Sequence, residues 1–194
     1  MSYGIYGGIR MKKIMAMVFI ALLSVTATFA LDMSAGGGFM YGYQKIKVEF
    51  DGALSVLDTT TDGDGFGVFG FFDATYVQVS VGYHAGDDTS YLDTAVLGKY
   101  PFAIGKCSIF PMAGLGYARA VKTDSSSSMD DLSHLYVKAG LGGDIAITKK
   151  LFIRPTVLFD YYLDNKNEKD FQDDWDATVT SYGYELSAAL GYKF

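Results

Sequence analysis

The stretch from Ser181 to Phe194 alternates regularly between apolar side chains and small or polar ones. Such period-2 alternation predicts a β-strand with one apolar face and one polar face. Aromatic residues stand at both ends of the apolar face, with Leu186 and Leu190 between them. Strands that cross a bilayer have this arrangement, since aromatic girdles mark the two interfaces of the membrane. The pattern favours a transmembrane strand, and the alternative is an edge strand of a soluble sandwich.

Seven further stretches have strand-like patterns, each about as long as a tilted strand needs to cross the hydrocarbon. The eight predicted strands are Met33–Tyr43, Gly65–Asp73, Thr75–His84, Tyr91–Phe102, Cys107–Ala118, Leu135–Ile147, Leu151–Leu163 and Ser181–Phe194. Their connections alternate between long polar loops (Gln44–Asp64, Ala85–Ser90, Arg119–His134, Asp164–Thr178) and short turns (Ala74, Ala103–Lys106, Thr148–Lys150). Bacterial outer-membrane barrels have long loops outside and short turns in the periplasm, so the sorting predicts this class.

The N-terminal region has the three parts of a secretory signal. Two lysines precede the apolar run Ile14–Leu23, and small residues then lead to a cleavage position before Leu31. The run is shorter than the roughly 20 apolar residues of a permanent membrane helix. We expect residues 1–30 to be an N-terminal extension with a cleavable signal peptide, and residues 31–194 to form one barrel domain. The alternative is an uncleaved anchor.

Composition narrows the possible functions. The chain is rich in glycine (23), tyrosine (15) and phenylalanine (14) and has only 3 prolines, which suits a closed barrel in which every strand must pair. Its net charge of −6 argues against nucleic acid as a partner, because phosphate binding needs a basic surface. The single Cys107 excludes an internal disulfide and leaves no zinc ligand cluster, so we expect no metal and no cofactor.

The C-terminal residues carry a resemblance to a known group. Outer-membrane barrel proteins commonly end in a strand whose terminal Phe is read by the barrel assembly machinery. Tyr192 and Phe194 match that signal together with Ser187, whereas Ala189 stands where glycine is usual. Residues 31–194 resemble the small eight-stranded barrels of the OmpA-transmembrane-domain, OmpX and OmpW group. The resemblance implies an all-β, eight-stranded antiparallel up-and-down transmembrane β-barrel in the bacterial outer membrane, with lipid and the assembly machinery as partners.

The polar face of the predicted strands would line the lumen. If Lys149 is the centre of the Thr148–Lys150 turn, residues whose numbers sum to 298 lie opposite each other. One register then pairs opposite charges twice, which is favourable across neighbouring strands and important inside a closed lumen. We predict an ion-pair network that plugs the lumen, formed by Lys138 with Asp160, Asp144 with Arg154, and Glu185 of the last strand. The alternative is that these side chains are hydrated independently.

The opposite side of the lumen is predicted to be apolar, with Phe69, Phe71 and Met112 as its lining. An eight-stranded barrel is only wide enough to be filled by side chains, so simple packing explains such a patch. The alternative is a narrow, porin-like passage for ions or small apolar solutes, as proposed for OmpW-like barrels.

Two further features are candidates for chemistry or binding. His84 and His134 are predicted at the outer ends of strands, where a histidine, a serine and an acid could form a catalytic group; neither sequence context has the spacing of the lipid A deacylase. The acidic residues between Asp164 and Asp176 suggest contact with an extracellular partner or with lipid headgroups. We therefore expect a non-enzymatic barrel with a structural or surface-interaction role through its loops.

Overall fold

In a computed structural model, residues 32–50, 57–86, 89–123, 133–163, 172 and 177–194 are described, and they form a closed antiparallel β-barrel. The strands are β1 (Met33–Phe50), β2 (Thr59–Ala74), β3 (Val77–Gly86), β4 (Thr89–Lys99), β5 (Phe102–Ile104), β6 (Cys107–Thr123), β7 (His134–Ala146), β8 (Leu151–Tyr162) and β9 (Ala177–Lys193). Pairing follows the order β4-β3-β2-β1-β9-β8-β7-β6, and β4 also pairs with β6 to close the cylinder. Since β5 is a three-residue segment beside β6, eight long strands form the wall, and the predicted fold class is confirmed.

Each long strand sends alternate side chains into the lumen and out of the barrel. Strand β8 shows this clearly, because its inward residues are buried and its outward residues are exposed. The inward set is Phe152, Arg154, Thr156, Leu158 and Asp160, and the outward set includes Ile153, Val157 and Phe159. The regular alternation means that the parity of a residue in its strand decides whether it meets the lumen or the surroundings.

The outer surface carries a continuous apolar belt. Exposed aromatic residues form one ring near the long connections (Phe66, Tyr83, Tyr117, Tyr161, Tyr184) and a second near the short turns (Tyr76, Tyr100, Phe102, Tyr192, Phe194). Exposed aliphatic residues fill the space between the rings (Val68, Val81, Val96, Leu115, Val137, Leu141, Val157, Leu186, Leu190). In the part of the chain that the structure describes, no helix is long and apolar enough to cross a membrane.

The predicted limits of several strands are wrong, because the strands continue into segments that the hydrophobic pattern assigns to loops. Strands β1 and β2 stay paired as far as Val48 and Thr59, inside the predicted loop Gln44–Asp64. Strand β6 likewise continues to Thr123, and β9 begins at Ala177. An apolar pattern ends where the apolar belt ends, whereas backbone hydrogen bonds can continue beyond it between polar residues. The hydrophobic pattern therefore identifies the belt and not the whole strand.

The predicted strand Tyr91–Phe102 is also interrupted, at Pro101. Strand β4 ends at Lys99, and β5 begins at Phe102. Proline has no N–H group to donate to a strand ladder, so continuous pairing ends there. The following turn contains Gly105 with a φ of 62°, a left-handed conformation that glycine adopts without steric cost.

Candidate functional site

Arg154 is the centre of a polar cluster near the short-turn end of the lumen. Its Nε and Nη2 donate to the two carboxylate oxygens of Asp144 at 2.7 and 2.9 Å. Its Nη2 also lies 2.7 Å from Asp73 Oδ2, and its Nη1 donates to Gln78 Oε1 at 2.8 Å. Lys99 Nζ contacts the same Asp73 oxygen at 2.5 Å. Side chains from five strands therefore meet inside the lumen near its short-turn end, three of them in direct contact with the Arg154 guanidinium group.

Aromatic rings enclose this cluster. The Arg154 guanidinium carbon lies 4.5 Å from the ring centre of Phe71, 5.1 Å from that of Phe110 and 5.0 Å from that of Phe152. Arginine over an aromatic face gains cation–π attraction, which is larger where water is excluded. Arg154 is only 1% exposed, so water does not solvate its charge. The ion pairs and the ring contacts compensate that charge instead.

A second polar cluster lies around Lys138, nearer to the long connections. Lys138 lies opposite Asp160 in the strand register, as the turn centred on Lys149 predicts, and their charged atoms are 3.6 Å apart. Its closer partner is Glu185 of β9, whose Oε2 accepts a hydrogen bond from Lys138 Nζ at 2.6 Å. Tyr136 donates a short hydrogen bond from its hydroxyl group to Asp93. All five residues named for the predicted network thus lie in the lumen, divided between two clusters.

The residues predicted to form an apolar lining do point inward. Phe71 packs against Phe152, with Phe69 beside it, and Met112 belongs to a separate cluster with Leu97 and Phe110. The space among these groups includes a cavity of about 20 Å³, whose wall includes Phe69 and Arg154. A cavity of that size holds about one water molecule. These described residues thus pack against one another and against other inward side chains.

Sequence reasoning did not include Asp73 and Gln78 in the network. Asp73 ends a strand that is apolar on both faces, so its direction was ambiguous, although it shares parity with Phe69 and Phe71. Gln78 contacts Arg154 across the lumen from a strand that is not its neighbour. The parity of Asp73 could have placed its side chain in the lumen. The contact of Gln78 with Arg154 depends instead on how the barrel closes, which the sequence pattern does not show.

A larger cavity lies at the end of the lumen that faces the long connections. Its volume is about 350 Å³. The residues of its wall that have inward parity include Asp93, Asp160, Glu185, Tyr91, Tyr162 and both histidines. Residues of outward parity also border it (Tyr43, Asp62, Asp64, Tyr184). Cavities of this size can hold a small organic molecule.

His84 and His134 both lie at this outer cavity, as their predicted positions near strand ends require. His134 contacts Tyr162 edge-to-face, with ring centres 6.0 Å apart. The described residues that line the cavity include both histidines and several acids but no serine. The acids that follow His84 in the sequence, Asp87 and Asp88, lie outside the described residues, so the expectation of a non-enzymatic barrel stays a prediction.

The other predicted features lie at the surface or outside the described residues. Tyr192 and Phe194 are exposed on the outside of β9 and contact each other, with ring centres 5.8 Å apart. Their role as an assembly signal stays a prediction. The predicted signal peptide in residues 1–30 and most of the acidic stretch 164–176 lie outside the residues that the structure describes.

Comparisons with solved structures show what this architecture is similar to. Neisserial surface protein A is 16% identical, with a TM-score of 0.50 over 80% of this chain and 97% of that one. Outer membrane protein OprG from Pseudomonas aeruginosa is 14% identical, with a TM-score of 0.49 over 85% of this chain and 96% of that one. The N-terminal β-barrel domain of Pseudomonas aeruginosa OprF is 15% identical, with a TM-score of 0.42 over 81% of this chain and 99% of that one.

No protein-family model and no curated protein sequence matches the chain. At these identities the structural likeness establishes the fold alone. The chain has the fold of the small eight-stranded outer-membrane barrels, as the resemblance in its sequence implied.

Proposed function

We propose that this protein is an integral outer-membrane β-barrel with a closed lumen, which acts without catalysis as a structural or surface-interaction protein through its outer loops. Lipid would surround the belt between the two aromatic rings. A surface with Phe39 75% exposed and Phe66 71% exposed, next to many exposed aliphatic residues, is unfavourable in water. In a bilayer the same surface is favourable, because a closed barrel satisfies its backbone hydrogen bonds internally.

The contacts around Arg154 are the observation that supports a closed lumen. This side chain bridges the interior from β8 to Asp144 on β7, Asp73 on β2 and Gln78 on β3. Rings of Phe71, Phe110 and Phe152 occupy the space beside it. An ion or solute could pass only by displacing a paired charge from contacts on both sides of the barrel. A protein with such a plug would work through its exposed segments and not by conduction.

Conductance of the refolded protein in a planar bilayer tests this proposal. We expect the wild type to be silent and Arg154→Ala to show channel openings, since that change removes both the bridging group and its volume. Lys47→Ala is the matched control, because it also removes one positive charge but at an exposed position on β1. It should remain silent.

Steady conductance of the wild type would overturn the closed lumen and favour a narrow passage past Phe69, Phe71 and Met112. Arg154→Lys guards against a folding failure of the alanine variant, because it retains the charge but loses the bidentate contact with Asp144. It should give rarer or smaller openings than Arg154→Ala.

A further inference from the structure

Three exposed lysines form a row along the end of the barrel that carries the short turns. Lys106 lies in the turn between β5 and β6, and Lys149 and Lys150 lie in the turn between β7 and β8. The two turns are neighbours, because the Ala146 N–H donates to the Lys106 carbonyl oxygen at 3.2 Å. The lysine row thus spans the ends of β6, β7 and β8, a width of about 10 Å. It concentrates positive charge in a chain whose net charge is −6.

The two turns that carry the lysine row contain no acidic residue. Asp144 on β7 faces the lumen and is held by Arg154 at 2.7 Å. Asp32 precedes β1, beyond β9, and the carboxylate at Phe194 lies toward β1, because the Phe194 N–H donates to the Met33 carbonyl oxygen. The turn between β2 and β3, on the opposite side of the barrel, contains no lysine or arginine. The surplus of positive charge is therefore confined to one side of this end.

Large apolar side chains border the lysine row on the outer surface of the barrel. Lys150 Nζ lies 5.2 Å from the ring centre of Tyr192, which belongs to the aromatic ring near the short turns. The exposed apolar neighbours on the same strands and turns are Phe102, Ile104, Ile145 and Ile147. A lysine beside apolar surface keeps its charge in the wet interface while its stem covers that surface. The lysine row therefore lies at the level where the apolar belt ends.

Lys193 is also exposed at this end but is turned away from the row. Its Nζ lies 5.6 Å from the ring centre of Phe152, a buried side chain of the lumen. Lys193 therefore lies at the mouth of the lumen and not on the outer surface.

We propose that the lysine row binds the phosphate group of an anionic phospholipid in the leaflet at the short-turn end. The proposal rests on the membrane insertion proposed above, but not on a closed lumen. Lysines beside a membrane surface attract anionic lipids. A phospholipid supplies both a phosphate for the ammonium groups and acyl chains for the apolar side chains next to them. A soluble acidic peptide or glycan would supply charge alone and would leave the apolar neighbours uncovered.

Fluorescence quenching at native Cys107 tests the site, because this exposed cysteine directly follows Lys106. The refolded full chain, labelled there with bimane, is inserted into vesicles of phosphatidylcholine and phosphatidylglycerol. One of the two lipids carries a spin label close to its headgroup. We expect phosphatidylglycerol to quench about fivefold more per molecule than phosphatidylcholine, the preference that one lysine near a membrane surface gives. Added salt should reduce the difference.

Charge variants separate the lysine row from the overall charge of the protein. Lys106→Gln, Lys149→Gln and Lys150→Gln together should remove the preference for phosphatidylglycerol at Cys107. The matched control also removes three positive charges, but at the end with the long connections, and should keep the preference; it combines Lys45→Gln, Lys47→Gln and Lys122→Gln.

A second probe position tests whether the lipid is held locally. Tyr76 is exposed at the same end of the barrel, beside the turn between β2 and β3. Bimane on Tyr76→Cys in a Cys107→Ser background should be quenched equally by the two lipids.

Equal quenching by the two lipids at Cys107, an unchanged preference after loss of the three lysines, or the same preference at Tyr76→Cys would each overturn the lipid site while leaving membrane insertion intact. Loss of the preference in sodium glycerophosphate, but not in sodium chloride of the same ionic strength, would assign the lysine row to a soluble phosphate instead. No quenching by either lipid at either position would contradict membrane insertion itself, and both proposals would then be wrong.

Discussion

Lys138 is the residue on which the outer half of the lumen depends, because its ammonium group lies between Glu185 and Asp160. Removing one partner of a buried ion pair typically costs about 3–5 kcal/mol, since it leaves a charge without a counter-charge. We therefore expect Lys138→Met to lower the free energy of unfolding by about that amount. Urea titration of the protein in lipid vesicles would measure it.

The double variant Lys138→Met with Glu185→Gln is the control for that prediction. It removes the closer carboxylate together with the lysine, so repulsion between the two acids disappears. At least half of the lost stability should return. If the double variant is no more stable than Lys138→Met, the loss comes from packing of the lysine stem and not from charge.

The alternation of inward and outward residues along each strand predicts part of the cluster around Arg154. Asp144 and Arg154 lie in neighbouring strands joined by a short turn, so a register rule pairs them from their positions in the chain alone. Asp73 and Gln78 reach Arg154 from the opposite wall, and no local rule relates those positions. Their contact depends on the diameter of the barrel and on side-chain length. The sequence therefore does not predict contacts that cross the lumen between strands that are not neighbours.

At the scale of elements, glycines allow inward aromatic rings to lie flat against a neighbouring strand. A Cβ atom on Gly142 of β7 would overlap the ring of Phe110 on β6, a side chain that is fully buried. Overpacking of this kind typically costs about 1–3 kcal/mol. We expect Gly142→Ala to reduce the free energy of unfolding within that range, measured by urea titration in vesicles.

Gly98→Ala is the matched control, since a Cβ at that outward position meets only one backbone oxygen, at an ordinary 3.6 Å. Its stability should equal or slightly exceed that of the wild type. Combining Gly142→Ala with Phe110→Leu should recover part of the loss, because the smaller side chain relieves the overlap. A loss as large in Gly98→Ala would show that backbone flexibility, not the ring, is responsible.

The period-2 pattern predicts the number of long strands and the faces of those that alternate clearly, such as β8, but it does not predict where the strands end. Beyond the apolar belt, β1 continues through Lys45 and Lys47, where the backbone ladder continues between mostly polar residues. Side-chain hydrophobicity carries no information about such a ladder. Pro101 is the opposite case, because a missing N–H group interrupts a strand that hydrophobicity would extend.

At the scale of the whole molecule, the closed barrel gives its two ends different characters. Cys107 is exposed at the end with short turns, and Lys47 is exposed at the end with the long connections. In outer-membrane barrels the short turns face the periplasm and the long loops face outward. If the proposed orientation holds, the two ends differ in their access to a large reagent outside intact cells.

Labelling intact cells with a maleimide on a large polyethylene glycol would measure that access. We expect native Cys107 to react only after the outer membrane is permeabilised, because the reagent is too large to cross it. Lys47→Cys in a Cys107→Ser background should react without permeabilisation, since that side chain is about half exposed at the other end. The reverse pattern would invert the orientation, so that the long connections would face the periplasm. Equal labelling of both positions in intact cells would contradict insertion across the membrane altogether.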